Sequence, residues 1–144
     1  MTRGARVYLT GRRKQELDAA VAAIGRGAIG VQGDVSRPTD LDRLYERISE
    51  DGCRMDVLYA NAGVGQWAPL EQVTVDHLDF ILGVNVRGAV FTVQKAVPLL
   101  NDHASVILSG RSGPWRAGGI RSLFGYEGCD AVFRPNLGER AEGP

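Results

Sequence analysis

Four short apolar runs, each halted by a turn residue and separated by stretches of helical period, constrain this chain more than any other feature. The runs are residues 6–10 (Arg-Val-Tyr-Leu-Thr), 28–32 (Ala-Ile-Gly-Val-Gln), 56–60 (Asp-Val-Leu-Tyr-Ala) and 104–109 (Ala-Ser-Val-Ile-Leu-Ser). Between the first two, Leu17, Ala20, Val21 and Ile24 recur at helical spacing, and Gly25 supplies a stop. Ser36 opens the next helical stretch, with Pro38 in its first turn and Leu41, Leu44, Tyr45 and Ile48 on one face. Asp51-Gly52 closes it. A loop to about Glu71, a helix over residues 74–82 and a longer one over residues 85–100 fill the third interval. Short strands alternating with helices predict an α/β fold, a parallel sheet covered on both faces.

The pattern stops after Gly110. Residues 111–144 hold seven glycines, three prolines and scattered arginines, without a sustained strand or helix period. Composition predicts an irregular or disordered tail there, behind one folded unit over residues 1–110.

The 144 residues suffice for one domain with a real core. Lys+Arg and Asp+Glu both number 17, so no net field draws the chain to nucleic acid or an anionic membrane. No apolar run approaches the roughly 20 residues of a membrane helix. Cys53 and Cys129 fit neither a metal spacing nor a disulfide framework, and His77 and His103 lie far apart, so no metal site is expected. The expected compartment is the reducing cytoplasm.

Chemistry-bearing residues sit where strands end, the edge at which ligands bind open parallel sheets. Gly11-Arg12-Arg13 follows the first strand; a guanidinium there suits a ribose phosphate, though an exposed arginine pair opening a helix looks the same. Asp34-Val35 follows the second: the carboxylate can accept from an adenine amino group and Val35 can pack on the ring, unless the aspartate serves a turn or cap. Asn61-Ala62-Gly63 follows the third. Its small residues allow close backbone approach to a cofactor, and the Asn61 amide can brace neighbouring strand ends, while a plain turn is the alternative. Asn85, within Val84-Asn85-Val86-Arg87-Gly88, is costly among apolar helical residues unless hydrogen-bonded, and can equally be structural.

Taken in this order and spacing, Val7…Gly11-Arg12, Asp34-Val35, Asn61-Ala62-Gly63 and Asn85-Val86-Arg87-Gly88 resemble the short-chain dehydrogenase/reductase family over residues 1–110. The resemblance implies a Rossmann-type doubly wound fold and a nicotinamide cofactor, NADP rather than NAD on account of Arg12. It implies hydride transfer between an alcohol and a carbonyl on a small-molecule substrate, and frequent homo-oligomers. It makes Gly11, Arg12, Asp34, Val35, Asn61, Ala62 and Gly63 cofactor-binding residues, and Asn85 the catalytic asparagine that holds a water in a proton relay.

The family pattern is incomplete here. Its opening strand, Gly-rich turn (T-G-x-x-x-G-x-G) and helix have no counterpart ahead of the first strand. The family strand order 3-2-1-4-5-6 then implies a partial sheet lacking its first, central strand, between the strands at residues 6–10 and 56–60, with impaired pyrophosphate binding and low stability. Two apolar edges are left unless they meet each other. The family also places a serine after the strand at residues 104–109, then Tyr-x-x-x-Lys on a long helix. Arg111 falls in the serine slot, beside Ser109 and Ser112, and Tyr126 is followed four residues on by Asp130, whose carboxylate raises a phenol pKa rather than lowering it. Displaced by one base, however, codons 123–130 can read Tyr-Ser-Ala-Thr-Lys-Ala-Ala-Met, and codons 133–141 Phe-Ala-Arg-Thr-Trp-Ala-Ser-Glu-Leu. A change of reading frame between Gly110 and Leu123 is therefore expected, leaving a chain inactive as written. A non-catalytic partner-binding or oligomerisation module is the alternative. Gln66-Trp67-Ala68-Pro69 can line a substrate pocket, or Trp67 can be a packing residue.

Overall fold

The computed structural model describes residues 4–109 and 131–133. Strand β1 (Val7–Gly11) runs parallel to β2 (Ala28–Gln32), in register from Val7 opposite Ala28 to Gly11 opposite Gln32. The crossover is α1 (Lys14–Ile24), whose Leu17 is its one buried residue. Gly30 permits the close packing of α1 on the strand: a Cβ there would stand 3.0 Å from both Leu17 Cγ and Val21 Cγ2.

Helix α2 (Pro38–Glu50) starts two residues later than the sequence suggests, because Ser36 is engaged with Asp34 rather than with a helix end. Its apolar face, Leu41, Leu44, Tyr45 and Ile48, is buried. Burying an aliphatic side chain of this size contributes about 1.5–3 kcal/mol. Strand β3 (Met55–Ala60) follows, then α3 (Val75–Leu82), capped by Thr74, whose hydroxyl accepts from the His77 amide at 3.1 Å.

The sequence suggests a break between two helices near Gly83. Instead a π-helical turn over Gly83–Gly88 joins α3 to α4 (Ala89–Ala96), and a 3-10 turn carries the helix on to Leu99. This 25-residue helix, Val75–Leu99, is long and apolar enough to cross a membrane by length and composition alone, which no uninterrupted apolar run in the sequence signals. Ile81, Val84, Thr92 and Ala96 are nonetheless buried within the fold. The Tyr45 hydroxyl donates to the Thr92 carbonyl at 2.6 Å, and Lys95 pairs with Asp42, so α2 and α4 are fastened by one buried and one partly buried polar contact.

Strand β4 (Leu100–Leu108) lies parallel to β3, with Leu58 opposite Val106 and Ala60 opposite Leu108. It begins earlier than its apolar run, since Met55 pairs with Leu100 but Val57 with Ser105, leaving Asn101–Ala104 as a bulge. Asn101 holds the bulge by donating to Asp56 at 2.7 Å and accepting from Arg54 at 3.1 Å. Where composition indicates only an irregular tail, Ala131–Phe133 forms β5, antiparallel to β4. The rest of the predicted tail lies outside the described residues.

Among the described residues the strands form two sheets, β1-β2 and β3-β4-β5. The edges expected on either side of a missing central strand do not meet: β1 and β3 each lack a partner on that side among the described residues. The sheets are joined through the core, where Tyr8, Val31 and Val35 pack against the cluster of α2, α4, β3 and β4 side chains. Tyr8 also donates to Asp51 at 2.7 Å, tying β1 to the end of α2. Leu58 faces this core, whereas Val57 and Tyr59, on the opposite face of β3, are 59% and 56% exposed. A parallel strand is normally covered on both faces.

Candidate functional site

All seven sequence-predicted cofactor residues, Gly11, Arg12, Asp34, Val35, Asn61, Ala62 and Gly63, line one cleft of about 560 Å³ at the carboxyl ends of β1, β2 and β3. Strand direction brings them together: each residue group directly follows a parallel strand, so all emerge at the same edge.

Asp34 is held by an Asx turn. Its Oδ1 accepts from the Ser36 amide at 2.9 Å and the Ser36 hydroxyl at 2.7 Å, while its own amide donates to Asp40 at 2.8 Å. The turn role raised by the sequence falls to Oδ1, and Oδ2 has no hydrogen-bond partner among the described residues. Burial pushes the carboxyl upward, but the Ser36 hydrogen bonds and the charges of Arg12 and Arg37 outweigh it, leaving Asp34 below the ordinary carboxylate value. The group is an ionised acceptor at neutral pH.

Arg12 is exposed, and its guanidinium makes no hydrogen bond or ion pair among the described residues. Its carbonyl accepts from Gln32 Nε2 at 2.9 Å, which fixes the backbone while leaving the cation available. Arg13 is instead engaged with Glu16. Val35 lines the cleft and also meets the core, where Gly88 makes room: a Cβ on Gly88 would lie 2.9 Å from Val35 Cγ2 and 3.2 Å from its carbonyl oxygen. Its side chain is therefore shared between the cleft and helix packing.

Asn61 does not brace the strand ends. Among the described residues its amide makes no hydrogen bond; the brace comes from Asn85, which holds Val64 from the π turn by two hydrogen bonds of 2.8 Å. Asn85 does not line the cleft, but Val64 does. The Asn85 amide is satisfied, as an asparagine among apolar helical neighbours requires, and it is a positioning residue for the turn at 61–64. The parts that Ser36, Gln32 and Val64 play at the site are not read from the sequence. Only Ser36 had a signal, its place two residues after an aspartate.

A Cβ on Gly11 would meet no atom within 4 Å, and one on Gly63 only Asn85 Oδ1 at 3.6 Å, so open space lies over both turns. Trp67 is 72% exposed and is not a packing residue. It lines a separate, shallower cleft of about 420 Å³ with His77 and Phe80, where His77 Nε2 is 2.9 Å from the Gln66 carbonyl. That cleft holds none of the strand-end residues. Among the described residues no group of acidic, histidine and cysteine side chains can hold a metal ion.

Known proteins agree with this architecture. A family model for short chain dehydrogenase matches residues 1–112. Oxidoreductase asL5 of Sarocladium schorii is 40% identical over 124 residues, 85% of this chain and 50% of that protein. Meso-2,3-butanediol dehydrogenase of Serratia marcescens is 32% identical over 120 residues, 79% of this chain and 48% of that one. Among solved structures, a short chain dehydrogenase from Burkholderia cenocepacia in complex with NADP superposes with a TM-score of 0.70 at 31% identity, covering 75% of this chain and 46% of that one. A 3-ketoacyl-(acyl-carrier-protein) reductase from Brucella melitensis complexed with NADH gives 0.62 at 35% identity, over 67% and 40%. The chain thus spans about half the length of the relatives it matches, within a partial Rossmann-type α/β fold. On this evidence the chain belongs to the short-chain dehydrogenase/reductase family of oxidoreductases.

Proposed function

We propose that this chain carries the adenosine-binding part of an NADP-dependent oxidoreductase that acts on a small alcohol or carbonyl compound, and that these 144 residues alone do not turn it over. The observation that carries the reading is the cleft itself, where the uncommitted Arg12 guanidinium and the ionised Asp34 share one strand-end edge. Asp34 Oδ2 suits an adenine amino group, and Arg12 suits a phosphate on the ribose 2′ oxygen. The inactive state is supported by the sequence after β4, in which Tyr126 is followed by Asp130 rather than by a cation.

Calorimetric titration with adenosine 2′,5′-bisphosphate and with AMP tests the specificity. A preference of about tenfold for the bisphosphate, roughly 1.4 kcal/mol, is expected, and Arg12→Ala removes it. Equal affinities in the unsubstituted chain would sink the NADP reading. NADPH oxidation above the buffer rate with any of a panel of small ketones would sink the inactive one. A change of reading frame between Gly110 and Leu123 is supported by the family match ending at residue 112. The nucleotide sequence decides it: codons 123–141, displaced by one base, must encode Tyr-x-x-x-Lys on an apolar-periodic helix.

A second reading, an oligomerisation module, is favoured by one observation. Leu82, Val86, Val90 and Val97 recur at helical spacing along the long helix and are all exposed. Sedimentation of the chain and of Val90→Glu separates the readings, since only an assembly through this face is dispersed by the charge.

A further inference from the structure

We propose that the cleft beside the start of α3, walled by Trp67 and Phe80, binds an organic cation, a guanidinium or an alkylammonium group. It is separate from the strand-end cleft, and its volume of about 420 Å³ suits a small ligand or one side chain of a partner. Trp67 is 72% exposed and Phe80 41%, so neither ring fills the core. A single exposed aromatic needs no explanation, but two that wall one depression together with a carboxylate do. The face of an indole is the best side-chain surface for a cation.

The carboxylate is that of Asp76, which lines the same cleft and makes no ion pair among the described residues. No lysine or arginine lines the cleft, and the sequence holds none from residue 55 to residue 86, a span that includes Asp56, Glu71, Asp76 and Asp79. The local field is therefore negative in a chain of zero net charge, which draws cations and repels phosphates and carboxylates. A first-turn aspartate also answers the positive end of a helix. That role accounts for Asp76 alone and leaves both aromatic faces in water. The walls are held before any ligand arrives. His77 Nε2 donates to the Gln66 carbonyl at 2.9 Å, and the Thr74 hydroxyl accepts from the His77 amide at 3.1 Å. A 3-10 turn over Leu70–Gln72 then returns the chain to α3. The loop carrying Trp67 is thus tied to the helix carrying Asp76 and Phe80, and binding has little left to order.

Titration of the full 144-residue chain without nucleotide tests this independently of the cofactor reading. The readout is the Trp67 indole N–H resonance, identified by its loss in Trp67→Phe, together with the backbone amides of His77 and Phe80. The probe is N-acetyl-argininamide. N-acetyl-citrullinamide, of the same shape without the charge, is the control, and glucose stands for a neutral stacking ligand. Saturable binding of the arginine probe is expected, about tenfold tighter than either control. Trp67→Ala and Asp76→Asn should each weaken it by about fivefold, whereas Trp67→Phe keeps an aromatic face and most of the binding. Asp79→Asn, outside the cleft, should leave the affinity within about twofold. Equal binding of citrullinamide or glucose, a loss in Asp79→Asn as large as in Asp76→Asn, or an indole that does not shift overturns the proposal. A pentapeptide with one central arginine separates the two sources of the cation. Tighter binding than the single residue assigns the site to a partner polypeptide, and equal or weaker binding to a small molecule.

Discussion

Both polar atoms of the Asn85 side chain are spent on a single residue, Val64: Oδ1 accepts from its amide and Nδ2 donates to its carbonyl, each at 2.8 Å. A helix thereby dictates the shape of a turn 21 residues earlier, the turn that forms one wall of the cleft. Asn85→Leu leaves both Val64 groups without a partner and is expected to cost about 1–3 kcal/mol in urea unfolding. Asn85→Asp keeps the acceptor but loses the donor, so it should fall between the two. A loss below a few tenths of a kcal/mol for Asn85→Leu would show that the clamp carries little.

Gly88 is the tightest helix position against the turn that carries Val35. Gly88→Ala puts a methyl 2.9 Å from Val35 Cγ2 and 3.2 Å from its carbonyl, so either the turn or the helix must shift. A destabilisation of about 1–3 kcal/mol is expected, with weaker adenosine-phosphate binding as Val35 and Asp34 are displaced. Unchanged thermal stability would mean that the turn yields freely.

Acid should weaken the fold in part through Asp34. Its folded-state pKa is below the usual value, so its contribution is present above the unfolded pKa of about 3.9 and is lost as pH falls through the folded value. Asn at this position can still accept from Ser36 but carries no charge. The gap in melting temperature between the unsubstituted chain and Asp34→Asn is therefore expected to close below about pH 4. A gap that stays constant from pH 7 to 3 would contradict the assignment.

The alkaline limb has the opposite sign. Burial, together with the hydrogen bond to Asp51, pushes the Tyr8 phenol up to about 12. A raised pKa stabilises the fold below the unfolded value of about 10, and the contribution disappears as pH rises through the folded one. Melting of the unsubstituted chain should fall more steeply between pH 10 and 12 than that of Tyr8→Phe, and tyrosinate absorbance should show one late-titrating phenol that the variant lacks.

Tyr45 ties α2 to α4 by its bond to the Thr92 carbonyl, which is buried at 2.6 Å. Tyr45→Phe preserves the packing and strands that carbonyl, for an expected cost of about 1–2 kcal/mol in the denaturation midpoint.

Most of this architecture is legible in the sequence because strand and helix periods are local properties. Leu41, Leu44, Tyr45 and Ile48 announce the buried face of α2 by their spacing, and the site residues announce themselves by following strands. What escaped was set by contacts between distant segments. The π turn at Gly83–Gly88 reads as a break, because a glycine between Leu82 and Val84 carries no trace of the clamp that Asn85 makes with Val64. The bulge in β4 depends on Asn101 meeting Asp56, and β5 on pairing with β4; neither has a periodic signature. The Asp34 carboxylate can be read from sequence as turn former or ligand, and the structure shows Oδ1 forming the turn with Ser36.

The separation of the two sheets bears on how any nucleotide in the cleft would act mechanically. Arg12 and Asp34 ride on one ladder and Asn61–Gly63 on the other, so the two walls are joined through α2 and side-chain packing rather than through backbone pairing. A ligand touching both walls is then a cross-tie between two plates. Its binding free energy adds directly to the work needed to part them, by RT ln(1 + [L]/Kd), about 2.7 kcal/mol at a hundredfold excess over Kd.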